Sequence, residues 1–332
     1  MLNPYLHLNS KLFDKDAEAK PTRDGYGEGL VFLGTINPNV VVLTADLTDS
    51  TRCEEFAKRF PERFFECGVA EQNMAAIAAG MGVSGKIPFI SSYATFSPGK
   101  NWETIRTTII YNRANVKIAG HHSGIVTGAD GATHQATEDI AITRAWPDIQ
   151  VVVPCDAVEA KKATVLAAET KGPVYLRFTR DKTPVITTDK TPYDGTKIQT
   201  FWVSDNPQIT IFATGHLLYY ALLAAKNLEK SKINVLVANV PCIKPLDGES
   251  ALEVAKTGAV VSVEDHQIMG GLGGALAEFF AKNKPLPMEF IGLQDTFAES
   301  GKALELIKKY GMDETAIEKA VEKVIKRKGR NG

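Results

Sequence analysis

The chain is poor in the signals that mark special classes of protein. Its 332 residues include four cysteines, Cys53, Cys67, Cys155 and Cys242, far apart and with no CxxC pair. This argues against a zinc ribbon and against a dense disulfide framework. Cys67 lies four residues before Glu71, which leaves a nucleophile reading open, but a free cysteine is most often a small buried apolar residue. The six histidines form no HExxH pair, so no protein-ligated metal is expected. No apolar run approaches the roughly 18–20 residues needed to cross a bilayer. Residues 1–20, MLNPYLHLNSKLFDKDAEAK, lack the basic start, apolar middle and small-residue cleavage site of a secretory signal. A net charge of −1 gives no electrostatic reason to expect nucleic acid or an acidic membrane as partner. A cytoplasmic enzyme or binding protein is the default.

What is present is ordinary in amount and informative in order. With 44% hydrophobic and 23% charged residues, the composition is that of a globular protein, and the length suits two domains. Apolar, β-branched runs at 39–46, 87–96, 114–122, 149–156 and 173–180 read as strands covered on both faces. Helical patterns at 22–34, 70–83, 101–112 and 157–170 lie between them. From 181 the alternation fails, in a stretch rich in Thr, Asp, Pro and Lys. It resumes with strands at 209–215, 233–240, 259–266 and 288–295, and helices at 217–228, 247–257, 272–282 and 313–327. The expectation is an α/β protein: a mostly parallel sheet flanked by helices, then a smaller α/β domain. The boundaries expected are an extension at 1–20, a first domain at 21–185, a linker at 186–207 and a second domain at 208–332.

Three clusters carry candidate chemistry. In GVAEQNMAAIAAG (68–80), Met74, Ala75 and Ala78 follow Glu71 at helical spacing, which puts the carboxylate on the apolar stripe. An acidic residue in a first helical turn can simply serve the macrodipole. A buried one needs a partner or takes up a proton, and a carboxyl that keeps its proton suits acid–base work. In SSYATFSPGKNWETIR (91–106), Tyr93 and Phe96 close a strand with two flat faces, fit for core packing or for stacking a ligand. In HHSGIVTGADGATHQATED (121–139), His121, His122, Asp130 and His134 share a glycine-bearing loop whose backbone can approach a ligand closely. In open parallel sheets the ligand crevice lies beyond the carboxyl ends of the strands, so these clusters can share one rim.

TADLTDST, GVAEQNM, GKIPFISSYATF, GADGATHQATED and VYLRFTR closely resemble the pyrimidine-binding domain of transketolase. VEDHQIMGGLGGALAE and QDTFAESG resemble that family's C-terminal domain, and the match runs from about residue 21 to 325 in the family's order. The resemblance implies a thiamine-diphosphate-binding fold, with cofactor bound across an interface between chains. It makes Glu71 the carboxylate on the aminopyrimidine ring nitrogen, tuning the cofactor. Phe96 and Tyr93 become the stacking aromatics, and Asp46 and Leu47 line the same pocket. Ser50, His121 and Arg180 fall where the family contacts the donor phosphate, a role suited to a guanidinium with hydrogen-bond donors. Asp130 and His134 would meet the hydroxyls and carbonyl of the donor ketose. Histidine, which titrates near neutral pH, could also shuttle a proton there. The 121–130 loop is one residue longer than in some relatives, which leaves His121 and His122 both open as the phosphate contact.

One departure from the family is large. Its full-length members carry an earlier domain whose Gly-Asp-Gly…Asn motif holds magnesium and the diphosphate, and no GDG occurs in this chain. The resemblance therefore implies the C-terminal subunit of a split transketolase. A separate N-terminal subunit would hold Mg2+ and diphosphate, the assembly would be an (αβ)2 heterotetramer, and sugar phosphates would be the substrates. Such a chain is expected to be inactive alone. Alternatives are a 1-deoxyxylulose-5-phosphate synthase, a 2-oxoacid dehydrogenase β chain and a non-catalytic partner subunit. The sugar-phosphate set of Ser50, His121, His134 and Arg180 argues against the oxoacid enzyme. Glu71, Phe96, His134 and Arg180 together argue against a mere scaffold. The second domain, with His266 before a glycine run, is read as structural support.

Overall fold

The computed structural model describes residues 1–329; the end of the expected second domain, 330–332, lies outside the described residues. The strands, in chain order, are β1 (Ala19–Lys20), β2 (Val40–Thr44), β3 (Phe64–Glu66), β4 (Ile87–Tyr93), β5 (Lys117–His121), β6 (Gln150–Val152) and β7 (Val174–Arg177). They continue with β8 (Thr183–Pro184), β9 (Gln199–Trp202), β10 (Ile209–Ala213), β11 (Val235–Asn239), β12 (Cys242–Lys244), β13 (Val260–Gln267) and β14 (Met288–Leu293). One sheet has the order β12-β6-β7-β5-β4-β2-β3, the other β14-β13-β10-β11-β9, and β1 pairs with β8 in a short ribbon. Both large sheets are parallel except at one edge, where β12 and β9 run antiparallel to their neighbours. The molecule is thus a mixed α/β protein with mostly parallel sheets flanked by helices.

The local reasons are legible. Every residue of β2, β5 and β10 is buried, as expected of strands with helices on both faces. Helix Thr22–Ile36 lies directly on helix Ala157–Glu169. At Gly25 a Cβ would stand 1.8 Å from the Ala157 carbonyl oxygen, so only glycine permits that approach. The helix expected over 101–112 is present but widens into π turns at Ile105–Ile110.

The two α/β units are not insulated from one another. One apolar cluster joins Ile140, Trp146 and Val151 of the first to Phe212, Val260 and Leu272 of the second. β12, whose chain has already entered the second unit, returns to add an edge to the first sheet. The stretch expected as a linker holds β9, because Phe201 and Trp202 are buried against the second core. The first part of the 1–20 segment runs along the second unit, where the Asn3 amide donates to the Phe201 carbonyl at 2.8 Å and Leu12 and Phe13 pack on its core, before Ala19–Lys20 pair with Thr183–Pro184.

Candidate active site

The carboxyl ends of β2, β4, β5 and β7 form one rim, and the loops leaving them carry most of the residues singled out above. Glu71 opens the helix Glu71–Val83 and is 2% exposed. Its Oε2 accepts from Lys100 Nζ at 3.0 Å, and that lysine side chain is 49% exposed. Asn101 Nδ2 donates to the Glu71 carbonyl at 3.0 Å and to Ser97 Oγ at 3.2 Å. The turn that carries Phe96 is thereby fastened to the head of the Glu71 helix.

Tyr93 ends β4, and its ring lies nearly parallel to that of Phe96 with centroids 5.8 Å apart. Both rings are partly exposed. His134 meets Phe96 edge-on at 5.4 Å and Tyr93 at 6.0 Å, and His122 stacks on Tyr93 at 3.7 Å. The adjacent histidines diverge because His122 takes a positive φ of 52° at the end of β5. His121 turns into the core between Tyr26 and Phe178, with neither ring nitrogen partnered. His122 faces the aromatic cluster. Burial, then the nearby Arg23, Arg180, His134 and Arg52, lowers its pKa to about 3, so it stands there as a neutral imidazole.

A cleft of about 850 Å³ lies between the units, lined in part by Arg23, Arg52, Thr127, Gly128, Arg180 and Lys182. Arg180 Nη1 donates to Asp130 Oδ1 at 3.1 Å and to the Thr127 carbonyl at 2.8 Å. Arg52 is paired with Asp24 at 2.7 Å. Arg23 donates to the Ser50 carbonyl at 2.8 Å, and its buried Nε has no partner. Asp46 and Leu47 lie on the loop after β2, where Asp46 takes a φ of 59°. Glu66 holds that loop, accepting from the Asp46 and Gly68 amides at 2.7 and 2.9 Å and from the Thr44 and Thr48 hydroxyls at 2.6 and 2.9 Å. Burial pushes the Glu66 carboxyl upward, but these hydrogen bonds outweigh it and hold it below the usual range.

Sequence reading brought out Tyr93, Phe96, His134, Asp130 and Arg180, and the fold gathers them. It did not bring out Glu66, Lys100 or Arg23. For Arg23 a signal existed: a cation in the first turn of a helix sits where the macrodipole disfavours it. The residues present fit one end of a flat heterocycle: partly exposed aromatic rings, and a buried carboxylate on the helix head to which the Phe96 turn is bound. Among the described residues, no group of three or more His, Cys, Asp or Glu side chains is gathered to hold a metal ion, and no helix is long and apolar enough to cross a membrane.

The chain is similar to known proteins over most of its length. A family model described as transketolase, pyrimidine binding domain, matches residues 18–185, and one described as transketolase, C-terminal domain, matches 201–317. A putative transketolase C-terminal section from Methanocaldococcus jannaschii is 45% identical over 317 residues, covering 93% of this chain and 97% of that protein. The transketolase of Homo sapiens is 35% identical over 307 residues, covering 92% of this chain but 49% of its own length. A solved structure described as a split gene transketolase, inactive beta4 tetramer, matches with a TM-score of 0.86 at 42% identity, over 92% of this chain and 98% of that one. The chain belongs to the transketolase family, in which it corresponds to the C-terminal section: the pyrimidine-binding domain followed by the C-terminal domain.

Proposed function

We propose that this chain is the C-terminal subunit of a two-chain, thiamine-diphosphate-dependent transketolase that moves a two-carbon ketol unit from a ketose phosphate to an aldose phosphate. The observation that carries the reading is Glu71: a buried carboxylate at a helix head, held only by a half-exposed lysine and fastened to the turn bearing Phe96. Tyr93 and Phe96 offer faces for the aminopyrimidine, Glu71 takes its ring nitrogen, and Asp46 and Leu47 border the pocket. When bound, thiamine diphosphate supplies the carbanion chemistry that ketol transfer requires. Glu71 exchanges a proton or hydrogen bond with the ring nitrogen; Lys100 bonds to Oε2 alone, which leaves Oε1 for that contact.

Arg23 and Arg180, with Ser50, suit the donor phosphate dianion, for which guanidinium groups are apt. His122 is the better histidine for that contact, because His121 is turned into the core. Asp130 and His134 meet the hydroxyls and carbonyl oxygen of the donor sugar. The diphosphate and Mg2+ fall to a separate N-terminal subunit, in an (αβ)2 assembly joined through both domains. The relative described as an inactive β4 tetramer supports self-association and dependence on that partner.

The test is reconstitution. The purified chain alone is expected to show no ketol transfer and to bind thiamine diphosphate weakly. Mixed with an N-terminal subunit carrying the Gly-Asp-Gly…Asn motif, it should turn over ketose and aldose phosphates. Turnover by the single chain overturns the proposal.

A further inference from the structure

The loop that follows β5 brings Asp130 onto Arg180 of the cleft wall and His134 edge-on to Phe96, and its other side rests on the second unit. Asp265, in the VEDH stretch of β13, is 2% exposed and aims its carboxylate at this loop. Oδ1 accepts from the Ile125 amide at 3.0 Å and Oδ2 from the Val126 amide at 3.5 Å. Gly124, just before them, has φ 76°, and a Cβ there would stand 2.0 Å from Asp265 Oδ2. The carboxylate occupies the space that a side chain would need.

Further bonds join the same two segments. Arg177 Nη2 donates to the Asp265 carbonyl at 2.9 Å and to the Ala136 carbonyl at 3.2 Å. The Gln267 amide donates to the Thr137 carbonyl at 2.7 Å. At the far end, Gln135 Nε2 donates to the Gly128 and Glu299 carbonyls, each at 3.2 Å. The hydrogen bonds accepted by the Asp265 carboxylate come from the loop's backbone, so they govern where the loop lies and leave its side chains free.

The geometry points to Asp265 as a positioning residue: by holding the Ile125 and Val126 amides, the second domain sets where Asp130 and His134 meet the donor sugar. The C-terminal domain is then part of substrate recognition as well as of assembly. This rests on the reading of Asp130 and His134 as donor contacts given above. Two partially independent measurements test it.

The first is hydrogen exchange on the full chain. Asp265→Asn, which keeps the shape and removes the charge, should speed exchange at the Ile125 and Val126 amides roughly tenfold or more, while β10 and β4 keep their rates. Unchanged exchange at those two amides, or faster exchange throughout the second sheet, overturns the proposal. The second is kinetics of the reconstituted two-chain enzyme. The variant should raise the KM for the donor ketose phosphate roughly 10- to 100-fold, as misplacement of binding groups does, with thiamine diphosphate affinity unchanged. An unaltered KM overturns it. Asp265→Glu, which keeps an acceptor but shifts it, should give the same pattern more weakly and serves if the asparagine variant does not fold. His134→Ala separates the two ideas. If it leaves the donor KM unaltered, the donor-contact reading fails and the proposal with it. If it raises KM while Asp265→Asn does not, the positioning role alone falls.

Discussion

Glu71 and Asp139 are each the first residue of a helix, and each is buried, 2% and 1% exposed. Their partners differ. Asp139 receives both prongs of the buried Arg177 guanidinium, at 2.7 and 3.0 Å, and the Tyr175 hydroxyl at 2.5 Å. Glu71 has one bond to its carboxylate, from a lysine half in solvent. A carboxylate enclosed by fixed donors is a fastening, and bidentate charge-assisted bonds are the strong kind. One held by a single mobile ammonium is available to something else. Position on the helix does not distinguish them; the permanence of the partner does.

The comparison can be broken at its strongest point first. In the reconstituted enzyme, Glu71→Gln should lower turnover about 10²- to 10⁴-fold, the scale of a lost proton-transfer group, and leave the melting temperature nearly unchanged. Undiminished turnover would remove Glu71 from the chemistry. Asp139→Asn should do the reverse within the fold, costing about 3–5 kcal/mol of stability by leaving Arg177 buried without its counter-charge. Its pH dependence has a definite sign. Burial alone would raise the Asp139 carboxyl, but Arg177 outweighs this and holds it below the usual range. Its contribution is therefore complete above the unfolded carboxyl value, about 4, and is lost only as pH falls through the lower folded one. Melting curves of the two proteins should differ most near neutrality and converge only in strong acid; convergence already at pH 5 would contradict the assignment. The smallest effect belongs to Lys100→Met. In a double-mutant cycle with Glu71→Gln, the pair should couple by about 0.2–1 kcal/mol, as half-exposed pairs do. A coupling as large as that expected for Asp139 and Arg177 would erase the distinction.

Much of the fold was readable beforehand, for a physical reason. β2, β4, β5, β6 and β7 all fall inside expected runs, since strands covered on both faces must be continuously apolar. β3 and β12 span three residues each, too short to carry a period, and their pairing depends on chain brought from elsewhere. In the site, Tyr93, Phe96 and His134 were legible because they close or follow strong strands. Glu66 was not, since three of its four partners, Thr44, Asp46 and Thr48, lie about twenty residues earlier in the chain. Arg177 could have been noticed: an arginine inside an apolar strand demands a buried acid, and Asp139 is that acid. The opposite directions taken by His121 and His122 follow from a single backbone dihedral, which no residue pattern reports.

The short edge strand Cys242–Lys244 stitches the second unit to the first sheet after the chain has already crossed into it. Two lobes joined in this way cannot swing like a hinge without peeling a strand from its neighbour and exposing a shared apolar seam. Access to the cleft must then come from small adjustments of loops and side chains.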